Sequence, residues 1–233
     1  MKIAIAQINS TVGDFDGNAD KIANAWRCAD EAGAGLIVLP ELALCGYPPR
    51  DLLAKPAFLR QNQAALEHLA RCGSKAVAVV GYASTNETDS GRPARNSAAV
   101  LHNGEVAAVR HKTLLPTYDV FDEDRYFEPA TDNTPVEILG KKVGLTICED
   151  IWNDEVFLHD RRYERRPAEE LADAGAELLL NLSASPWSLG KEHSRHELLS
   201  QLSAKAGCPL VYCNLVGGND ELVFDGGSQY YNG

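Results

Sequence analysis

Apolar residues along this chain recur at two spacings, one typical of helices and one of short buried strands. A spacing of three and four residues places Ile22, Ala25, Trp26 and Ala29 on one helical face. The helices predicted from such spacing and from terminating residues are Asn18–Ala32, Pro56 to about Arg71, a segment near Pro167–Ala174, and Lys191–Ala206. The predicted strands are Lys2–Ala6, Leu36–Leu39, Ala76–Tyr82, Asn96–Leu101, Glu105–His111, Val136–Leu139, Lys142–Ile147, Glu177–Asn181, Pro209–Asn214 and Glu221–Phe224.

The order of these elements predicts an α/β fold. Helices and strands alternate near both ends of the chain, which is typical of parallel strands joined by helices. Two hairpins interrupt the alternation, one at Asn103-Gly104 and one at Gly140. The pattern therefore favours a mixed sheet, or two stacked sheets covered by helices, within one domain over residues 1–233. The chain stops just past a turn, and we expect it to be part of a longer polypeptide.

Composition and charge exclude several classes of function. The formal net charge is −11, which disfavours nucleic-acid binding because that function needs a basic surface. The basic segment 161–166 is interrupted by Glu164 and is interpreted as a solvated helix start. No apolar run is long enough to predict a membrane span. The six cysteines show no metal-binding spacing, so we expect no metal site and a reducing cytoplasmic environment.

Three chemically competent residues follow predicted strands. Glu41 comes after Leu36–Leu39, Lys112 after Glu105–His111, and Cys148 after Lys142–Ile147. Strand ends commonly present side chains to a site, and a thiol, a carboxylate and an ammonium make a plausible nucleophilic set. Each residue has an ordinary alternative: a buried structural thiol, a surface carboxylate and a solvated lysine. Their joint placement favours the catalytic interpretation.

Two further stretches leave alternatives open. Asn181–Trp187 ends a strand with small hydroxyl residues, which suit either a ligand's polar group or an ordinary turn. Gly217–Glu221 is interpreted as the entry to a strand in preference to a flexible loop lining a pocket.

The motifs around the three strand ends resemble those of the nitrilase (carbon–nitrogen hydrolase) superfamily. The matching stretches are Leu39–Leu42, His111–Pro116 and Ile147–Trp152. Other stretches are similar to the glutamine amidotransferase domains of glutamine-dependent NAD synthetases: Gly46–Leu53, Pro116–Phe127, Asn181–Pro186 with Gly190-Lys191, and Val216–Gly226. The resemblance extends over essentially the whole chain.

This resemblance implies an αββα sandwich and a set of site residues. Cys148 is expected to be the nucleophile, Glu41 the general base and Lys112 the oxyanion stabiliser, with Glu123 supporting Lys112. The residues expected to line a pocket for L-glutamine are Tyr47, Tyr118, Phe121, Glu149, Ser185 and Lys191. Glu149 is expected to bind the substrate ammonium and Lys191 its carboxylate. Assembly into homo-oligomers is expected as well.

The resemblance also implies a reaction and a partner. The expected reaction converts glutamine to glutamate and ammonia through a Cys148 thioester, with no cofactor for this step. The ammonia would serve a synthetase domain of the same polypeptide, which needs ATP and Mg²⁺ and is absent from this chain together with the last elements of the sandwich. One departure is Asn219, where the family often has glutamine. The alternatives are a free-standing amidase or carbamoylase for another small amide, or a catalytically silent fragment.

Overall fold

The structure is a computed structural model, and it describes residues 1–88, 90–153 and 163–233. The helices are α1 (Phe15–Glu31), α2 (Pro56–Arg71), α3 (Pro167–Asp173) and α4 (Lys191–Ala206). The strands are β1 (Ile3–Ile5), β2 (Leu36–Val38), β3 (Val77–Thr85), β4 (Ala94–His102), β5 (Glu105–His111), β6 (Val136–Ile138), β7 (Lys141–Ile147), β8 (Leu178–Ser183), β9 (Leu210–Asn214), β10 (Val216–Asn219), β11 (Leu222–Asp225) and β12 (Gln229–Tyr231). Arg161 and Arg162 of the basic segment lie outside the described residues.

Two mixed sheets form the centre of the molecule. The first has the order β1-β2-β3-β4-β5, with β1, β2 and β3 parallel and β4 antiparallel to both of its neighbours. The second has the order β12-β9-β8-β7-β6, with β7, β8 and β9 parallel and the outer strands antiparallel. A separate hairpin pairs β10 with β11.

The side chains of β2 show how the four layers arise. Leu36 and Val38 point into the core between the two sheets, where they join Leu145 and Leu180 of the second sheet. Ile37 lies on the other face of β2, in the cluster that contains Trp26 of α1 and residues of α2. Because side chains alternate across a strand, a strand covered on both faces is apolar throughout. Helices α3 and α4 cover the outer face of the second sheet, so the predicted αββα sandwich is confirmed.

Helix α1 begins three residues earlier than predicted. Asp14 caps it by accepting a hydrogen bond from the Gly17 N–H at 3.0 Å. Asn18, the predicted start, is fully buried and donates to the backbone oxygens of Thr11 and Leu44 at 2.7 and 3.1 Å. Its polar side chain therefore ties the helix to a loop and does not cap the helix.

The last part of the chain contains strands that the sequence pattern did not predict. The stretch Gly217–Glu221 forms most of β10 and its turn into β11, as the strand-entry interpretation expects, but Glu221 also lines a cleft. Strand β12 pairs with β9 on the side opposite β8, so β9 has a neighbour on both sides. The described helices include none with the length and apolar character needed to cross a lipid bilayer.

Candidate active site

The three predicted catalytic residues come from three strand ends. Lys112 directly follows β5, and Glu41 lies three residues beyond β2. These strands run in the same direction, so their carboxyl ends lie at one edge of the first sheet. Cys148 directly follows β7 of the facing sheet and begins a 3₁₀ turn, Cys148–Ile151. The fold thereby brings together side chains from both sheets.

Lys112 lies between two carboxylates. Its Nζ is 2.7 Å from Glu41 Oε1 and 2.7 Å from Glu123 Oε2. The side chains of Lys112 and Glu41 are fully buried, and Tyr47 donates its hydroxyl hydrogen to Glu123 Oε1 at 2.8 Å. Buried charges are stable only when paired and hydrogen-bonded, as they are here. The predicted association of Glu123 with Lys112 is therefore present in the structure.

The carboxylate of Glu41 has two more partners that fix its orientation. Asn96 Nδ2 donates to Oε1 at 2.7 Å, and the Ala184 N–H donates to Oε2 at 2.9 Å. The Ala184 contact gives the small-residue stretch Asn181–Trp187 a defined place beside Glu41. The backbone also packs tightly, since a Cβ on Gly81 would lie 2.2 Å from the Pro40 oxygen.

Cys148 has an unusual backbone conformation and a protonated thiol. Its φ is 41°, a positive value that residues other than glycine rarely adopt, at the point where β7 ends. Burial raises the pKa of the Cys148 thiol, and the charge of Glu41 raises it further, whereas Lys112 lowers it. The charges of Glu41 and Lys112 therefore both act on the thiol. The thiol requires a base before it acts as a nucleophile.

The protonation states of Lys112 and Glu123 depend on each other. Burial by itself would lower the pKa of Lys112, but Glu123 and Glu41 hold that pKa well above its ordinary value. Burial raises the pKa of Glu123 to about 7, against the opposing effect of Lys112. Lys112 therefore keeps its positive charge beside a glutamate whose pKa is raised.

Asp150 is a residue of the site that sequence reasoning missed. One of its oxygens accepts from the N–H groups of Thr113 and Leu114 at 3.0 and 2.8 Å, and the other accepts from the Ile147 N–H at 2.9 Å. It thus joins the segment that carries Lys112 to the turn that carries Cys148. An aspartate two residues after the cysteine was the available signal, but its partners are distant in sequence.

Glu149 and the aromatic residues near it form another group. Tyr118 donates its hydroxyl hydrogen to the Glu149 carboxylate at 2.9 Å, and Tyr163 donates to Oε1 at 3.0 Å. Phe121 meets Tyr118 edge to face, with ring centres 5.6 Å apart. A cleft of about 460 Å³ is lined by Phe121, Tyr47 and Glu123, so it reaches the buried ion network.

Ser185 and Lys191 lie on the side of the second sheet. The Ser185 N–H donates to Asn214 Oδ1 at 2.8 Å, which fixes the backbone after Ala184. Lys191 begins α4, and its Nζ lies 5.7 Å from the ring centre of Trp152. Burial lowers the pKa of Lys191 and the charge of Arg195 lowers it further, whereas the charge of Glu149 acts in the opposite direction. Lys191 and Glu149 therefore place opposite charges near the thiol.

Among residues 1–88, 90–153 and 163–233, no three His, Cys, Asp or Glu side chains form a group able to hold a metal ion. All six cysteines are free thiols.

Comparisons with known proteins identify the family of this chain. A family model described as carbon-nitrogen hydrolase matches residues 2–232. The chain is 45% identical to a glutamine-dependent NAD(+) synthetase of Synechocystis sp., over 99% of this chain and 42% of that protein. It therefore spans about two fifths of that relative's length.

Solved structures are also similar to this chain over almost its whole length. A glutamine-dependent NAD+ synthetase from Acinetobacter baumannii, in complex with ADP, has a TM-score of 0.88 and 36% identity, covering 99% of this chain and 41% of that one. An amidase of Nesterenkonia AN1 from the nitrilase superfamily has a TM-score of 0.81 and 28% identity, covering all of this chain and 82% of that one.

Proposed function

Since this chain belongs to the carbon–nitrogen hydrolase family, we propose that it hydrolyses the side-chain amide of L-glutamine to glutamate and ammonia. The observation that carries the proposal is the buried Lys112 ammonium, held 2.7 Å from both Glu41 and Glu123 within electrostatic reach of the Cys148 thiol. A base, a cation and a thiol so placed have the components required for nucleophilic acyl transfer.

The first half of the reaction forms a thioester. Glu41 accepts the proton of the Cys148 thiol, and the sulfur attacks the carbon of the side-chain carboxamide. The Lys112 ammonium has three N–H donors, and two of them are bound to Glu41 and Glu123. The third donor stabilises the oxyanion of the tetrahedral intermediate. Glu41 returns its proton to the leaving nitrogen, ammonia departs, and a glutamyl thioester remains on Cys148.

The second half consumes water. Glu41 removes a proton from a water molecule, whose oxygen attacks the thioester carbonyl. Lys112 stabilises the second oxyanion, the carbon–sulfur bond breaks, and the thiolate recovers a proton from Glu41. Glutamine and water are thus converted to glutamate and ammonia, with no cofactor in this step.

The charges around the thiol favour an amino-acid substrate over a neutral amide. Glu149 suits the substrate ammonium, and Lys191 suits the substrate carboxylate. Both residues lie close enough to Cys148 for their charges to matter there, because Glu149 and Cys148 both affect the pKa of Lys191. Tyr118 and Tyr163 position the Glu149 carboxylate through their hydroxyl groups. Tyr47, Phe121 and Ser185 complete the proposed pocket.

The ammonia is proposed to serve a separate synthetase unit. The similar proteins of Synechocystis and A. baumannii are named glutamine-dependent NAD(+) synthetases, and this chain spans 42% and 41% of their lengths. We infer that a synthetase unit of the same polypeptide uses ATP and Mg²⁺ to amidate deamido-NAD with this ammonia. Homo-oligomeric assembly and a cytoplasmic location belong to the same proposal.

Glutamine turnover by purified variants tests the catalytic assignments. Cys148→Ala should abolish turnover, while Glu41→Gln and Lys112→Met should each reduce kcat by ~10²–10⁴-fold, as is typical for a general base or an oxyanion donor. The matched controls are the exposed positions Cys72→Ala, Glu67→Gln and Lys55→Met. Wild-type turnover in a site variant would remove that residue from its proposed role.

A substrate panel and intact-mass measurements test the substrate. We expect a glutamyl adduct on Cys148 and a preference for glutamine over amides that lack the charged head group. Glu149→Gln and Lys191→Met should raise KM more than they lower kcat. Preference for another amide would favour a free-standing amidase or carbamoylase. A folded protein with no turnover and no adduct would favour a silent fragment.

A further inference from the structure

A second cleft lies on the face of the first sheet that packs against α2. It has a volume of about 850 Å³, and its lining includes Tyr82, Arg95, Arg110 and His111. In the sheet, Tyr82 and His111 are both register partners of Ser97, which places all three on the same face. The proposed active site does not use this cleft.

The two arginines of the cleft are held by uncharged partners. Arg95 donates from Nε to Asn86 Oδ1 at 3.1 Å and from a terminal nitrogen to the Pro129 oxygen at 3.0 Å. Arg110 donates to the backbone and side-chain oxygens of Thr134 at 2.9 and 3.2 Å. In the described part of the chain, no carboxylate oxygen lies within 4.0 Å of a guanidinium nitrogen of either arginine, so neither forms an ion pair. These partners fix the orientation of both guanidinium groups without an ion pair, although the charge of Arg95 also lowers the pKa of the Glu128 carboxyl.

His111 is a neutral donor or acceptor in the same cleft. Burial, together with the charges of Arg95 and Arg110, lowers the pKa of His111 to about 4. Its Nδ1 lies 2.7 Å from Ser97 Oγ, which lies 2.7 Å from Ser84 Oγ. When Ser97 donates to Nδ1 and not to the Arg95 backbone oxygen at 3.3 Å, the hydrogen of the neutral ring is on Nε2. An anion in the cleft would select this tautomer.

Three acids, Glu67, Glu87 and Asp132, also belong to the lining of the cleft. Even so, the charges that act on the imidazole are those of the two arginines. The part of the cleft beside His111 and Arg95 therefore suits a compact anionic group, whereas an extended polyanion would also meet the three acids.

We propose that this cleft binds a small oxyanion, either a carboxylate or a phosphate group, between the Arg95 guanidinium and His111. The geometry also places the site next to the catalytic network. Asn96, which donates to Glu41, lies between Arg95 and Ser97, and Lys112 follows His111 directly. An anion held here contacts both strands that carry these residues.

The test uses the whole chain, with inorganic phosphate and succinate as separate probes at constant ionic strength set by sodium chloride. Calorimetry measures affinity, and NMR follows the His111 ring, whose signals are assigned from their loss in His111→Gln. We expect saturable binding of at least one probe and a matching movement of the His111 signals. Response to phosphate alone or to succinate alone identifies the source of the oxyanion.

Variants decide whether the arginines are responsible. Arg95→Gln should weaken binding about tenfold or more, because a charge-assisted hydrogen bond is lost. Arg60→Gln is the matched control, since Arg60 is exposed on α2 and does not line the cleft. If Arg95→Gln does not fold, Arg110→Gln serves as the second variant, with a smaller expected loss. Absence of saturable binding, or equal binding by Arg95→Gln and Arg60→Gln, would overturn the proposal.

Discussion

The carboxylate of Asp150 accepts a hydrogen bond from the backbone N–H of Thr113 at 3.0 Å. Thr113 follows Lys112, and Asp150 lies two residues beyond Cys148, so this contact sets the distance between two strand ends in different sheets. The same carboxylate also accepts from Leu114 and Ile147. A single buried aspartate therefore aligns the proposed oxyanion stabiliser with the proposed nucleophile.

Asp150→Asn is expected to weaken both stability and turnover. An asparagine oxygen is able to accept from Thr113 and Leu114, but its amide nitrogen would face the Ile147 N–H, donor against donor. Leaving a buried N–H unpaired costs about 1–3 kcal/mol. Urea denaturation and glutamine turnover measure the two effects. The control is Asp173→Asn, at the exposed end of α3. Unchanged stability in Asp150→Asn would contradict the aligning role.

Gly81→Ala is expected to displace Glu41. The added Cβ would lie 2.2 Å from the Pro40 oxygen and 2.5 Å from the Leu42 nitrogen, and both are backbone atoms. Overpacking of this kind typically costs about 1–3 kcal/mol. We expect a larger proportional loss of kcat than of folded protein, measured by turnover and thermal denaturation.

Gly35→Ala is the control for that substitution. Its nearest contact would be Leu139 Cδ1 at 3.3 Å, on an exposed side chain that is free to move. If both alanine variants kept wild-type kcat, the close approach of Gly81 to the Glu41 backbone would have no catalytic role.

Glu123 should leave a signature in the pH dependence of stability. Its pKa is raised from 4.5 to about 7 in the folded protein, mainly by burial. Between these values the folded protein binds a proton that the unfolded chain does not, so stability falls as pH rises through this window. One pKa unit corresponds to about 1.4 kcal/mol. Glu123→Gln lacks this titration, and the stability of the wild type relative to the variant should therefore decline between these pH values.

Urea denaturation of wild type and Glu123→Gln at several pH values between 4.5 and 8 tests this expectation. The exposed Glu105→Gln controls for the loss of one negative charge. Parallel stability curves for wild type and Glu123→Gln would show that Glu123 titrates alike in the folded and unfolded chains.

Lys112→Met should make the Cys148 thiol harder to ionise. Lys112 lowers the pKa of the thiol, opposing burial and Glu41, so its removal favours the protonated form. We expect iodoacetamide to modify Cys148 more slowly in this variant. The rise of the modification rate with pH should occur at a higher pH than in the wild type. Peptide mass spectrometry measures the rate separately for each cysteine, and the exposed Cys28 and Cys72 are internal standards. Faster modification of Cys148 in the variant would oppose this account of the electrostatics.

Local sequence determined most of the elements and the chemistry of the site. The hairpin at Asn103-Gly104 was predictable because both residues adopt positive φ, 51° and 84°, which these residue types tolerate. The apolar run of β2 identified a strand buried on both faces. The motifs at the strand ends singled out Glu41, Lys112 and Cys148, although their catalytic roles stay predictions.

Only the tertiary structure decided the partners of these residues. Asn96 and Ala184 bind Glu41, and Asp150 binds Thr113, from positions that are remote along the chain, so these pairings could not be predicted from local sequence. Strand β12 was missed because its three residues acquire their conformation from pairing with β9. Residue type and spacing set local conformation and available chemistry, whereas the burial and pairing that decide protonation and orientation arise when the two sheets meet.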